Sequence, residues 1–327
     1  MKGKIFKEGV HFSQCHASSL LALKDGRLLC VCFAGEHEKA SDVGIWQFEF
    51  DGKQWKAPRE IAKICGKPHW NPVLFKVKDG IRIVFKVGEE IASWKSYTMH
   101  SKDGGATWEN LHGYPENPAG GPVRSKPIRL SNGALLAPNS DEEGGWRTRV
   151  DISWDEGETF KRYAEIPLNL TDKSQGNYIC GRGAIQPTMW EDEAGEVHAL
   201  LRTSAGRIYR SDSQDGGKTW CQAYPLEIPN NNSGIDILKS KNGKLYLALN
   251  PTSGDFVART PLCIYESRDQ GKHFEAFVTL EDELLDAKTG KTAEFSYPSL
   301  TEEGDLLFVS YTWNRRCLAV QKVFCGE

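Results

Sequence analysis

The sequence predicts an all-β chain, a β-propeller of six four-stranded antiparallel blades. Three observations predict it. First, the motif Ser-x-Asp-x-Gly-x-Thr-Trp/Phe occurs four times, at 101–108, 153–160, 213–220 and 267–274, with His273 replacing the threonine in the last copy. Second, its aspartates Asp103, Asp155, Asp215 and Asp269 lie 52, 60 and 54 residues apart. That period is too long for leucine-rich or ankyrin units and suits a propeller blade. Third, short β-branched or aromatic runs bounded by Asp-Gly and Asn-Gly turns fill the intervals.

The elements follow in order. A degraded copy, Asp51-Gly52-Lys53-Gln54-Trp55, stands 52 residues before the first full one, and a period near 54 fits about six times into 327 residues. Residues 28–33, 81–87, 244–249 and 306–311 read as strands. Lys24-Asp25-Gly26, Lys78-Asp79-Gly80, Ser131-Asn132-Gly133 and Lys241-Asn242-Gly243 read as hairpin turns, where a positive φ is required. No long amphipathic helix stands out, although 281–288 suits one or two helical turns. Within the motif, the carboxylate accepts N–H groups of its own turn, the glycine takes a conformation other residues avoid, and the aromatic residue anchors the turn between sheets. The four conspicuous aspartates are therefore expected to be structural, not catalytic.

The repeat runs nearly end to end, so residues 1–327 read as a single domain. With 41 Lys and Arg against 44 Asp and Glu, the formal charge is −3, which argues against a nucleic-acid partner. No apolar run approaches membrane-spanning length. The N-terminal residues 1–9 lack the apolar core of a signal peptide, which suggests a cytoplasmic protein. Nine cysteines without a Cys-x-x-Cys pair read as reduced core thiols, with Cys30 and Cys32 on one side of a strand. Phosphate-loop, zinc-protease and nucleophile-elbow motifs are absent, and the histidines show no metal-ligand spacing. No metal and no cofactor are expected. The oligomeric state is left open.

The repeats resemble the Asp boxes, or BNR repeats, of the sialidase superfamily, and the resemblance covers almost the whole chain. The segments His16-Ala17-Ser18, Gln186-Pro187-Thr188, Asn232-Ser233-Gly234-Ile235-Asp236 and Ser296-Tyr297-Pro298-Ser299 make it most similar to the predicted-neuraminidase branch. The resemblance implies a sialidase-like propeller and a set of site residues. Asp42 falls at the acid/base aspartate, Tyr297 at the nucleophile, and Arg202 and Arg259 at the second and third arginines of a carboxylate clamp. Two positions depart from the pattern. His16 stands where the family has its first arginine, and Gln186 stands near where it has a glutamate.

The chemistry of these residue types fits an acidic sugar. Converging arginines bind a carboxylate through paired N–H groups. A neutral phenol attacks a carbon bearing a carboxylate without the repulsion a carboxylate nucleophile meets, but its pKa near 10 calls for a base or a positive field. Glu294, three residues before Tyr297, is a weak candidate base because strand alternation points it away. His16 loses the clamp geometry of arginine and adds a group that transfers protons near pH 7. Further substrate-binding candidates end strands of successive blades, where propellers gather binding sites: His69, Asn71, Lys126, Arg182, Asn232 and Asp236. Trp70 and Trp313 are candidate sugar-stacking walls. The leading expectation is an exo-acting glycosidase that removes a terminal acidic sugar, by default sialic acid, from an oligosaccharide or glycoconjugate. The alternatives are a lyase or hydrolase acting on a rhamnose–glucuronic acid linkage, and a non-catalytic binding propeller.

Overall fold

The computed structural model describes residues 2–24, 26–64, 66–114 and 119–326. Asp25 of the first predicted turn and Cys65 lie outside them. The chain forms a six-bladed β-propeller of four-stranded antiparallel sheets. After β1 (Lys2–Lys4), blade I comprises β2 (Gln14–Ala22), β3 (Leu28–Gly35), β4 (Gly44–Phe50) and β5 (Arg59–Ala62). Blade II comprises β6 (His69–Val77), β7 (Gly80–Val87), β8 (Lys95–Ser101) and β9 (Glu109–Gly113). Blade III holds β10 (Ile128–Arg129), β11 (Leu135–Asp141), β12 (Arg147–Ser153) and β13 (Lys161–Glu165). Blade IV holds β14 (Ala184–Glu191), β15 (Val197–Thr203), β16 (Arg207–Ser213) and β17 (Tyr224–Pro229). Blade V holds β18 (Asp236–Lys239), β19 (Leu245–Leu249), β20 (Leu262–Ser267) and β21 (Glu275–Glu281). Blade VI holds β22 (Phe295–Glu303), β23 (Leu306–Trp313) and β24 (Cys317–Phe324), and takes β1 as its fourth strand. All four predicted strands and the repeat length are reproduced.

The chain divides into two compact units: Met1–Ala119 with Glu294–Glu327, and Gly120–Ala293. The first contains blades I, II and VI, the second blades III, IV and V. In the first, Leu20, Cys30, Cys32, Phe48 and Leu318 belong to one buried cluster, with Phe6 stacked on Phe48 at 5.0 Å. In the second, Leu136, Val150, Leu201 and Trp220 form one core and Leu200, Ile237, Leu247 and Trp190 another.

The Asp-box motifs are the turns between the third and fourth strands of blades II to V. In the third copy Ser213 Oγ donates to Asp215 Oδ1 (2.9 Å) and accepts from Gly217 N (2.8 Å), while Thr219 gives N–H and O–H to the carboxylate (2.8 and 2.7 Å). The other three copies repeat this pattern, with His273 Nδ1 at 2.6 Å from Asp269 in the threonine's place. These hydrogen bonds, Thr107 and Thr219 foremost, hold Asp103 and Asp215 at about 2. The aspartates are committed to their turns, as expected.

Two expectations change. Residues 281–288 are not helical. Asp286 instead organises a turn, accepting from Thr289 Oγ1 (2.5 Å) and Lys288 N (3.3 Å), with a bridge from Leu285 to Thr292. Eight described cysteines are free thiols, but Cys180 and Cys221 are exposed and so are not core residues.

Candidate functional site

The first strand of a blade has one edge without a hydrogen-bonded neighbour, and these strands are irregular at matching places. Register shifts interrupt β2 between His16 and Ser19, β6 between Trp70 and Val73, β14 between Ile185 and Thr188, and β22 between Ser296 and Ser299. Inside each shift sits a non-glycine residue of positive φ: Ala17 (55°), Asn71 (40°), Gln186 (50°) and Tyr297 (55°). Asn232 (58°), just before β18, is similar. A left-handed backbone is disfavoured for residues with a Cβ, and bulges re-aim side chains. Three of the four bulged residues precede proline, which has no N–H to leave unpaired on an edge. The N–H groups that remain find hydroxyls of the neighbouring blade: Leu20 N on Ser299, Leu74 N on Ser19, Ile237 N on Thr188.

In the first unit this geometry joins His16 to Tyr297. Their ring centroids are 4.2 Å apart at 49°. His16 is 4% exposed, Phe33 meets it edge-on at 5.8 Å, and its Nδ1 lies 2.9 Å from Thr312 Oγ1. With Nδ1–H donating to that hydroxyl, Nε2 is the basic nitrogen. His16 lines a small cleft with Phe33, His37, Glu38 and Arg315. Arg315 occupies a tight turn between β23 and β24 (φ 55°, after Asn314 at 48°), bonds both oxygens of Glu294 at 3.2 Å, and bonds Glu38. Glu294 also accepts from Ser296 Oγ (2.7 Å), so this carboxylate is committed to Arg315 and Ser296.

Asp42 is placed differently from the expectation. Its Oδ2 accepts from Glu36 N (2.8 Å), closing its own loop, and it lines a neighbouring depression with His11, Phe12 and Trp46. The carboxylate in the His16 cleft is Glu38. His69 is no ligand-binding group. It is fully buried, its Nδ1 donates to the Val43 and Lys67 carbonyls (2.9 and 3.0 Å), and its Nε2 accepts from Ile64 N (3.0 Å). Burial and the Lys63 charge push its pKa down to about 4. Trp70 is likewise a core residue, bonded to Gly88 O and packed on Trp94, and cannot serve as a sugar wall. Asn71 is buried at its bulge. Trp313 is half-buried against Phe295 and Lys4.

In the second unit a hydrogen-bonded chain links several candidates. Arg202, 2% exposed, donates from Nη1 to Gln186 Oε1 (2.9 Å), from Nε to Asn232 Oδ1 (3.0 Å), and to the Asn232 carbonyl. Asn232 Nδ2 donates to Asp255 Oδ1 (2.6 Å), and Asp255 Oδ2 pairs with Arg182 (3.1 Å). Arg182, half-exposed, lies between the rings of Trp146 and Phe256, 4.5 and 4.4 Å from their centroids. Arg202 is thus an internally bonded guanidinium rather than an open clamp, and Arg182 is the more accessible cation. Lys126 and Asp236 are tied to each other (3.4 Å), with Thr188 also on Asp236. Arg259 is half-buried in the loop between β19 and β20.

Glu142, in the turn after β11, escaped the sequence reading. Its carboxyl is hydrogen-bonded to the Gln186 side chain and feels the charges of Arg202 and Arg182, yet burial pushes its pKa above the ordinary value. The run Asp141-Glu142-Glu143-Gly144-Gly145 reads as a solvated turn, and nothing in it signals a desolvated acid. For a metal, the described residues bring Asp192, Glu196 and His198 together. Two of the three are already engaged, His198 with Asp192 (3.3 Å) and Asp212 (2.5 Å), and Asp192 with its own turn.

Six four-stranded blades, four of them carrying Asp-box turns and four with a bulged first strand, define an Asp-box propeller. Residues 26–309 match the family described as BNR repeat-like domain, and the chain belongs to that family. Its fold is similar to a protein of unknown function from Dyadobacter fermentans, at TM-score 0.76 and 16% identity over 100% of this chain and 99% of that one. It is also similar to the Hadza microbial sialidase Hz136, at TM-score 0.78 and 15% identity over 99% and 68% of the two chains. A leech intramolecular trans-sialidase complexed with 2,7-anhydro-Neu5Ac matches at TM-score 0.74 and 14% identity over 99% and 70%. Identities this low establish the fold alone. No curated protein matches the sequence significantly.

Proposed function

We propose that the protein is an exo-acting glycoside hydrolase that removes a terminal acidic sugar, with sialic acid as the first substrate to test. The observation that carries this reading is the His16–Tyr297 contact on a bulged strand. Tyr297 gives its phenolic proton to His16 Nε2, and its oxygen attacks the anomeric carbon as the bond to the leaving oxygen breaks. The leaving oxygen takes a proton from a carboxylic acid, for which Glu38 and Asp42 are the candidates. Water then attacks the same carbon and gives a proton to the carboxylate, the tyrosine–sugar bond breaks, and His16 returns its proton to the tyrosine oxygen. The imidazole thus supplies the base that Gln186 cannot. The second unit, taken by itself, carries two guanidinium groups, Arg182 and Arg202, that favour an anionic ligand. Release from an aryl α-sialoside tests the reading. Tyr297→Phe and His16→Ala should each lower kcat/KM by about 100-fold or more with unfolding midpoints preserved. Tyr297→Phe turning over at the parent rate would refute it.

A second reading is favoured by one observation: an imidazole, not an arginine, stands against the tyrosine. In a β-elimination on a rhamnose–glucuronic acid linkage, His16 takes the C5 proton of the uronate. The C4=C5 bond forms as the bond to the leaving oxygen breaks, and Tyr297 protonates that oxygen. This reaction yields an unsaturated product that absorbs in the ultraviolet, which hydrolysis does not. Binding of acidic sugars without turnover of either substrate would leave the third reading, a non-catalytic binding propeller.

A further inference from the structure

The second unit contains a charge arrangement that bears on which ligands it accepts. Gln186 stands between a cation and an acid, its amide oxygen accepting from Arg202 (2.9 Å) and its side chain hydrogen-bonded to Glu142. The groups acting on Glu142 are Arg202 from β15, Gln186 from β14 and Arg182 from the loop before β14. Arg182 in turn holds Asp255, from the loop after β19, at 3.1 Å. Two guanidinium groups therefore face two carboxyl groups. With both carboxyls ionised the set is neutral and has no net attraction for an anion. With Glu142 protonated it carries one positive charge.

We propose that Glu142 is a specificity-determining residue, so that a carboxylate-bearing sugar enters the field of Arg182 and Arg202 together with a proton taken up by Glu142. The inference rests on the acidic-sugar reading above and deepens it. Glu142 suits this role because it is half-buried and its desolvation favours the neutral acid, whereas Asp255 is a surface group paired with Arg182. A neutral acid also donates a hydrogen bond to an incoming carboxylate, where an ionised one repels it. A sugar without a carboxylate gains nothing from the proton.

Titration calorimetry with glucuronic acid and N-acetylneuraminic acid as probes, from pH 5 to 8 in buffers of differing ionisation enthalpy, tests this. The parent protein should take up close to one proton per ligand near neutral pH, with Kd weakening by up to about tenfold per pH unit. Glu142→Gln should take up none, show a flat profile and bind more tightly at pH 7. Binding by Glu142→Gln where the parent shows none would support the same conclusion. Equal proton uptake by the two proteins would overturn the role of Glu142 and leave the acidic-sugar reading intact. No binding of either acid by either protein would overturn both. Should Glu142→Gln fail to fold, the parent alone decides, because the absence of proton uptake on binding refutes the proposal.

Discussion

Gln186 shows how a single residue is shaped by its neighbours. It holds a left-handed backbone, φ 50°, which costs a residue with a Cβ about 1–2 kcal/mol. The strain directs its amide between Arg202 and Glu142, and only an amide meets both, one end accepting and the other donating. A glutamate at this position would set a second carboxylate beside Glu142. Sequence alone marks Gln186 as a lost glutamate, whereas the structure shows the carboxyl group standing one hydrogen bond away. A stability prediction follows from the Glu142 shift. Its folded carboxyl holds a proton more tightly than the unfolded one, so its contribution is favourable at low pH and is lost as pH rises from the ordinary glutamate range through the folded pKa. Glu142→Gln removes the ionisation and should raise the unfolding midpoint at pH 7, with the gain vanishing below pH about 4. An equal gain at both pH values would contradict this account.

At the level of elements, the Asp box is a turn and a joint between blades. The glycine is required by packing as well as by φ. A Cβ on Gly217 would meet Leu136 of blade III at 2.8 Å, one on Gly105 would meet Leu29 of blade I at 2.8 Å, and one on Gly271 would meet Trp190 of blade IV at 2.9 Å. These three boxes are thus seated on the preceding blade, and the serine hydroxyl is the buried hinge. Ser213→Ala leaves Gly217 N without its acceptor and removes a donor from Asp215, which should cost about 1–3 kcal/mol. Urea unfolding measures this, and a loss below about 0.5 kcal/mol would mean that the hydroxyl is dispensable. The motif was legible as a structural turn because all its bonds run within eight residues. The bulges were legible only as strand-end motifs, since their register appears when β2, β6, β14 and β22 are paired with their neighbours.

For the molecule as a whole, the repeat made the propeller readable, but the completion of blade VI did not follow from it. Lys2, Gly3 and Lys4 stand opposite Gln321, Val320 and Ala319, a pairing across the length of the chain that no local pattern announces. The same limit explains the missed site residues. Glu38 and Arg315 come together from two separate turns, Arg315 also meeting Glu294 just before β22, and Asp255 reaches Asn232 from a loop. The titratable groups of the assembled fold predict acid unfolding in two stages. His69 has its pKa lowered from 6.5 to about 4, so the unfolded chain binds the extra proton between these values and stability falls as pH drops through that window. The loss approaches about 3 kcal/mol at its limit, for a fully buried ring. Asp103 and Asp215, lowered from 3.8 to about 2, hold their contribution until pH falls below 3.8 and lose it towards 2. Glu142 works in the opposite sense and blunts the first stage. Urea midpoints measured from pH 7 to 2 should therefore decline first between 6.5 and 4 and again below 3.8. His69→Gln should be less stable at pH 7 and lose most of the first decline, while Asp215→Asn should weaken only the second. A parent profile flat from pH 6.5 to 4 would show that His69 is not held neutral by its burial.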